Sequence, residues 1–165
     1  MNAAQKTIKP LTDTSLEKSL VIIRAAFGKV TAGFGITEEN TPVFAAYTTL
    51  ENLKDMRARG VRFFGLFLNG SQVGVVGVEK EADGVCHMSR LAVLPEYWHC
   101  GFGRELVDYV IGYTRGLGVS RLRLGMVNEN TVLKKWYLDM GFKEIEIKKF
   151  DHLPFTICRL ALEIK

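Results

Sequence analysis

The sequence predicts one mixed α/β sheet with helices on both sides, its elements in the order β-α-α-β-β-β-α-β-α-β-β. Three observations carry that expectation. Apolar residues recur at helical spacing in four stretches, near residues 14–27, 50–59, 103–117 and 130–140. Between them the pattern changes to short period-two apolar runs such as VRFFGLFL and QVGVVGVE. Asn69-Gly70 separates those two runs and is a strong hairpin signal.

Along the chain, KTIKPL at 6–11 reads as a first strand ended by Pro10 and the turn formers Thr12 and Asp13. Asp13 or Thr14 offers an N-cap for the first helix, and Glu17 stands three residues after Thr14 as a capping box requires. Leu16, Leu20, Ile23 and Phe27 carry that helix to about Phe27. GKVTAGFGITEENTPVFAAY then reads as a long irregular connection, a kind that is often functional. Thr48 or Thr49 caps a second helix through LENLKDMRAR, with Gly60 at its end. The hairpin follows, then a turn at Asp83-Gly84 and a third strand, VCHMSRLAVL, stopped by Pro95. A helix from Gly103 to about Leu117, a strand SRLRLGMV, a helix Asn130–Met140 closed by Gly141, and strands at 142–150 and 155–164 complete the order.

The chain has 165 residues, is 47% hydrophobic and shows no linker or repeat, so residues 1–165 read as a single domain. The formal net charge of +4 is spread along the chain, which disfavours nucleic acid as a partner. Three cysteines, Cys86, Cys100 and Cys158, make no disulfide framework. The N-terminal stretch lacks the apolar run of a signal peptide, and no stretch is long enough to cross a bilayer, so neither a membrane nor export is expected. A cytoplasmic location is the expectation.

The most informative stretch is LAVLPEYWHCGFGREL, from Leu91 to Leu106. A strand ends at a proline, and two glycines then open a long helix. Glycines there permit close approach of a ligand, and the first helical N–H groups face outward at the positive end of the dipole. Such a turn suits a pyrophosphate. The Rossmann fingerprint is excluded because Leu106 stands where its third glycine belongs, and no GK[ST] triplet exists for a Walker A loop. Cys86-His87 and His99-Cys100 do not make a zinc site. Neighbours on a strand point to opposite faces, so each pair offers one inward ligand, and no metal is expected.

This turn, the element order and NENTVLKKWYLDMGFKE together resemble the GCN5-related N-acetyltransferase (GNAT) superfamily, which transfers acetyl from acetyl-CoA to amines. Gly101 and Gly103 match the family's Arg/Gln-x-x-Gly-x-Gly/Ala motif. Asn130, Tyr137, Gly141 and Phe142 match Asn-x-x-Ala-x-x-Leu-Tyr-x-x-x-Gly-Phe. The resemblance covers nearly the whole chain. It departs at Trp98, where the family has Arg or Gln, at His99, where glycine is common, and at Leu133, where the family has Ala.

The resemblance implies a mostly antiparallel sheet with a splayed central parallel pair, the pantetheine arm of acetyl-CoA lying in the gap. It implies that backbone groups of Leu91, Ala92 and Val93 pair with pantetheine and that an N–H near Leu91 polarises the thioester carbonyl. The same strand also reads as an ordinary buried parallel strand. The backbone amides of Cys100, Gly101, Phe102, Gly103 and Arg104 are implied at the pyrophosphate, with Asn130 also on the cofactor. Arg104 adds a cation there or is merely solvated. Tyr137 is implied beside the sulfur as general acid, although Leu133, Trp136, Tyr137 and Met140 also form a complete core stripe. His87 stands where members often carry a Glu base, four residues before Leu91, with Glu79 and Glu81 as rivals. Strand alternation puts His87, Ser89 and Leu91 on one face, and an imidazole is a competent base near neutral pH. A structural histidine is the competing reading.

The function implied is acetyl-CoA-dependent transfer to a primary amine of a small molecule or protein, by direct attack in a ternary complex. The alternative is a catalytically silent acyl-CoA-binding regulatory module of the same fold. In the family the first two helices and their connection wall the acceptor site, which makes GFGITEENTPVFAAY the lid. There Glu38 and Glu39 attract a cation, or serve in a cap, while Phe34, Phe44 and Tyr47 shape a pocket or anchor the core. Homodimers are common in the family, and nothing in the sequence marks an interface.

Overall fold

A computed structural model describes residues 3–81 and 84–165. Asn69 and Gly70 both take positive φ, 52° and 84°, as a tight hairpin turn demands, and they join β2 (Arg62–Leu68) to β3 (Ser71–Glu81). β1 (Lys6–Pro10) adds to the outer edge of β2, and β4 (Val85–Val93) returns antiparallel along β3. The turn expected at Asp83-Gly84 lies partly outside the described residues, since Asp83 is among those left undescribed. Beyond β4 come β5 (Arg121–Val127), β6 (Lys143–Lys149) and β7 (Thr156–Glu163), in the sheet order β1-β2-β3-β4-β5-β7-β6. Every pairing is antiparallel except β4 with β5.

That one parallel pairing is short. It joins Val85 to Arg121, Cys86 to Leu122 and His87 to Arg123, and then stops. β4 continues to Val93 along β3, and β5 to Val127 along β7, each held by an antiparallel ladder. Two well-paired half-sheets therefore share a three-residue seam and part above it. The splayed pair is present.

α1 (Leu16–Thr31) and α2 (Leu50–Ala58) cover one face of the sheet, while α3 (Phe102–Gly116) covers the other and α4 (Thr131–Asp139) lies on the side of α3. The α1 side packs Leu16, Ile22, Ile23 and Leu53 on Phe63, Val75 and Ala92. The α3 side packs Leu106, Val107 and Val110 on Val76, Met88, Leu122 and Leu160. A third cluster, Ile36, Val127 and Phe155 with Phe34, Phe44 and Tyr47 against it, ties the α1–α2 connection to the end of β5. Those three aromatics are core anchors. Glu38 and Glu39 are exposed within a turn closed by mutual Thr37–Asn40 hydrogen bonds, and among the described residues no helix begins there for them to cap.

Two local expectations need correction. The first helix runs to Thr31, past Phe27, through a Gly28 whose surroundings are open. Its capping box does not form. The chain winds a 3-10 turn over Asp13–Ser15 first, so helix N–H groups begin beyond reach of Thr14. The Thr12 hydroxyl instead lies 2.9 Å from that of Thr14. The capping box sits on α2, where Thr49 Oγ1 accepts from Asn52 N–H at 3.1 Å and Asn52 Oδ1 accepts from Thr49 N–H at 2.9 Å. Thr49→Ala should accordingly cost about 1 kcal/mol of unfolding free energy in urea. Thr14→Ala should stay within about 0.5 kcal/mol of wild type. Equal losses would reverse this assignment.

Candidate active site

The gap above the seam is lined by main chain. Leu94 donates its N–H to Val73 carbonyl at 2.9 Å, so alternation turns the polar groups of Ala92 to Val75 and those of Val93 away from β3, into the gap. The register of β3 with β4 slips between Val75 and Gly77, which pair with Ala92 and Ser89. Arg90 and Leu91 therefore both stand opposite Val76, whose own alternation turns it to Phe64 of β2. This is a β-bulge, and Arg90 enters it at a φ of 55°. β3 leaves the main-chain groups of Leu91 and Val93 unclaimed, and those are the positions expected to meet pantetheine. Ala92 is different. Its backbone belongs to the β3 ladder, so it can border the gap but not pair across it.

The bulge also overturns the face expected from alternation. His87 and Ser89 point to the α1 side, but the extra residue reverses the strand, and Leu91 packs into the cluster beneath α3. His87 and Leu91 thus lie on opposite faces of the sheet, next to the same gap.

At the top of the gap the chain turns through a 3-10 segment, Pro95–Tyr97, into α3. Trp98, at the family's Arg/Gln position, donates its indole N–H to Val93 carbonyl at 2.7 Å. This fixes the turn to the end of β4 and uses one of the acceptors facing the gap. His99 and Gly101 take positive φ, 64° and 84°, and Gly101 is the N-cap of α3. The first intrahelical bond runs from Glu105 N–H to Gly101 carbonyl at 3.1 Å, which leaves the N–H groups of Phe102, Gly103 and Arg104 without helical partners. These three donors stand at the positive end of the α3 dipole. Phe102 contributes only main chain, since its ring is buried and stacked on Tyr97 at 5.9 Å. Cys100 is exposed, its Sγ turned to Trp98 carbonyl at 3.6 Å. Arg104 is half exposed and engaged with Asp108 at 3.2 Å, the solvated reading of that residue.

His87 opens onto a cleft of about 310 Å³ with Glu81, Arg123, Gly125, Ile157 and Arg159. It begins where the seam ends. Burial pulls the imidazole below its ordinary pKa, against the opposing pull of Glu81 and Glu79. The ring is therefore neutral at pH 7 and able to accept a proton. Its rivals are occupied: Glu79 pairs with Arg59 at 3.4 Å and Glu81 with Arg123 at 2.5 Å.

Tyr137 lies on the α3 side, 5% exposed, edge-on to Trp136 at 5.0 Å and to Phe142 at 5.5 Å. Burial pushes its phenol pKa well up, so the proton stays on. Among the described residues no hydrogen bond to its hydroxyl is found. Leu133, at the family's Ala position, packs partly buried against the same cluster. Asn130 caps α4, its Oδ1 accepting from Leu133 N–H at 3.2 Å, a structural duty that sequence spacing had not separated from a cofactor contact. The structure thus brings the β4 backbone and the α3 turn to one gap, with His87 and Tyr137 on opposite sides of the sheet. Among the described residues, no three His, Cys, Asp or Glu side chains are grouped to hold a metal ion, and no helix is long and apolar enough to cross a membrane.

Residues 31–142 match the model of the acetyltransferase (GNAT) family, and the chain belongs to that family. Over 93 residues it is 31% identical to a [ribosomal protein bS18]-alanine N-acetyltransferase of Haemophilus influenzae, covering 55% of this chain and 62% of that protein. It is 30% identical over 99 residues to the UPF0157 protein YqkA of Bacillus subtilis, covering 60% of this chain and only 28% of YqkA. Among solved structures, the PaiA N-acetyltransferase of Thermoplasma acidophilum in complex with coenzyme A superposes with a TM-score of 0.78 at 21% identity, covering 96% of this chain and 99% of that one. That likeness is one of fold.

The neutral, half-buried His87 predicts a pH signature in stability. Its pKa is lowered from 6.5 in the folded state, so as pH falls the unfolded chain takes up this proton first. The contribution is complete above 6.5 and is lost as pH falls toward the depressed folded value. His87→Gln should flatten the decline of the urea midpoint between about pH 7 and pH 5. An unchanged decline would place the ring in solvent.

Proposed function

We propose that residues 1–165 form a single N-acetyltransferase domain that moves an acetyl group from acetyl-CoA to a primary amine of a small molecule or protein, by direct attack in a ternary complex. The observation that carries this reading is the alignment of unclaimed main-chain groups on β4 with the unclaimed N–H groups opening α3. A pantetheine arm completes the first as a strand would, while a pyrophosphate suits the second. Acetyl-CoA supplies the activated acyl group as a thioester. Leu91 N–H is aimed at the carbonyl oxygen, where one fixed donor stabilises developing charge.

His87 accepts the proton of the incoming ammonium, directly or through water, so that the amine attacks as the free base. The N–C bond forms as the C–S bond breaks, Tyr137 delivers its proton to the departing sulfur, and the second proton lost by the nitrogen returns through solvent to restore the phenol. Burial keeps the phenol protonated while making it a weaker acid, and thiolate release needs only moderate help. The cleft beside His87 opens to the α1 side, which supports entry of the amine there, opposite the α3 face.

The test is thiol release from acetyl-CoA against a panel of amines, with melting measured in parallel with and without CoA. Tyr137→Phe should lower kcat by about 10²-fold with CoA affinity little changed. Because no hydrogen bond to the hydroxyl is found, its unfolding free energy should move by less than about 0.5 kcal/mol. Near-native kcat would leave Tyr137 as core packing. Gly101→Val should weaken CoA binding by calorimetry in the folded variant, since a side chain at φ 84° is strained and projects where the anion approaches. Stabilisation by CoA without thiol release for any amine would mark a silent binding module.

A further inference from the structure

On the α1 side, three arginines pair with carboxylates of the sheet strands. Arg59 pairs with Glu79 at 3.4 Å, Arg123 with Glu81 at 2.5 Å and Arg159 with Glu146 at 3.6 Å. Arg24 and Arg90 are not among the ion pairs of the described residues. Both converge instead on Thr48, a residue 2% exposed at the end of the α1–α2 connection. Arg24 Nε donates to Thr48 carbonyl at 2.8 Å, and Arg90 Nε donates to Thr48 Oγ1 at 3.2 Å.

Each guanidinium spends one donor on this anchor and keeps its remaining N–H groups for something else. Arg90 is half-buried, and the charges around it add no compensation: burial and the neighbouring Arg59 cation both disfavour its positive charge. A buried cation without a counter-ion is costly, as is a non-glycine residue held at φ 55°. Both costs fall on the residue immediately before Leu91, whose N–H is placed at the thioester. Hydrophobic packing does not require an arginine there.

We propose that Arg90 and Arg24 form a carboxylate clamp, so that the acceptor is an amine carrying a carboxylate, of the amino-acid class. This rests on the acetyl-transfer reading for the identity of the amine, but the clamp is a binding site in its own right. A planar carboxylate matches the forked donors of a guanidinium, and Thr48 holds both side chains in place before the ligand arrives. The bulge puts Arg90 one residue from the reacting position, which suits a carboxylate close to the amine. A polyamine or a lysine side chain within a protein would meet like charge here.

The test uses product-like probes, so that it does not depend on turnover. N-acetyl amino acids and the matching N-acetyl amino amides are titrated calorimetrically into protein saturated with CoA. At least one acid should bind about tenfold or more tightly than its amide, as expected for a charge-assisted contact. Arg90→Met should erase most of that preference and Arg90→Lys should restore part of it. Arg24→Met, on an exposed residue where folding is not at risk, should also reduce it. CoA affinity, set by main-chain groups of β4 and the α3 turn rather than by these side chains, should be unchanged and reports that each variant is folded. Amides binding as well as acids throughout, no acid binding at all, or a preference surviving both methionine variants would overturn the clamp. Selective binding of acids without thiol release from the corresponding free amino acids would support the clamp while contradicting the acetyl-transfer proposal.

Discussion

The parallel ladder between β4 and β5 ends after His87 and Arg123, and the site depends on that break. A parallel pairing is slightly weaker per residue than an antiparallel one, and here each strand has an antiparallel partner on its other side. The bulge at Arg90 adds the twist that carries β4 away from β5. The cost is a set of backbone polar groups inside a sheet without strand partners. Proteins seldom leave such groups unpaired, and an extended ligand arm can satisfy them. Anchoring devices surround the opening: Trp98 fixes the turn to Val93, and the aromatic cluster around Ile36 and Val127 fixes the opposite wall.

This arrangement divides the chemistry between main chain and side chain. In the proposed function, main-chain groups hold the parts of acetyl-CoA that do not vary, and such contacts do not depend on the side chains nearby. The free N–H groups of Phe102, Gly103 and Arg104 do not depend on residue 98, so Trp98 in place of Arg or Gln leaves them intact. On the α1 face the chemistry is carried by side chains, the arginines, His87 and Thr48.

The element order was legible because period-two runs, helical stripes and Asn69-Gly70 report local geometry directly. Gly101 and Gly103 also reported the α3 turn, because a left-handed N-cap leaves a glycine in the sequence. The bulge left no such mark, since its left-handed residue is an arginine, and unbroken alternation wrongly placed His87 and Leu91 on one face. The capping box at Thr14 failed for a related reason: sequence spacing fits a regular helix start, and a 3-10 turn displaced it. Asn130 matched a family motif while its side chain was committed to capping α4. Trp98 looked like a simple departure, and only the fold reveals its bond to Val93. The convergence of Arg24 and Arg90 on Thr48 joins residues far apart in the chain, and no spacing rule reports it.

The central claim is that β4 presents unclaimed main-chain groups at alternate positions beside β5. Residue-resolved amide hydrogen exchange, with and without CoA, measures it most directly. The amides of Leu91 and Val93 should exchange rapidly in the free protein while that of Ala92, paired to Val75, is protected. CoA should slow Leu91 and Val93 together with Phe102, Gly103 and Arg104. Protection of Leu91 and Val93 equal to that of Ala92 in the free protein, or no change at these five amides on adding CoA, would contradict the account.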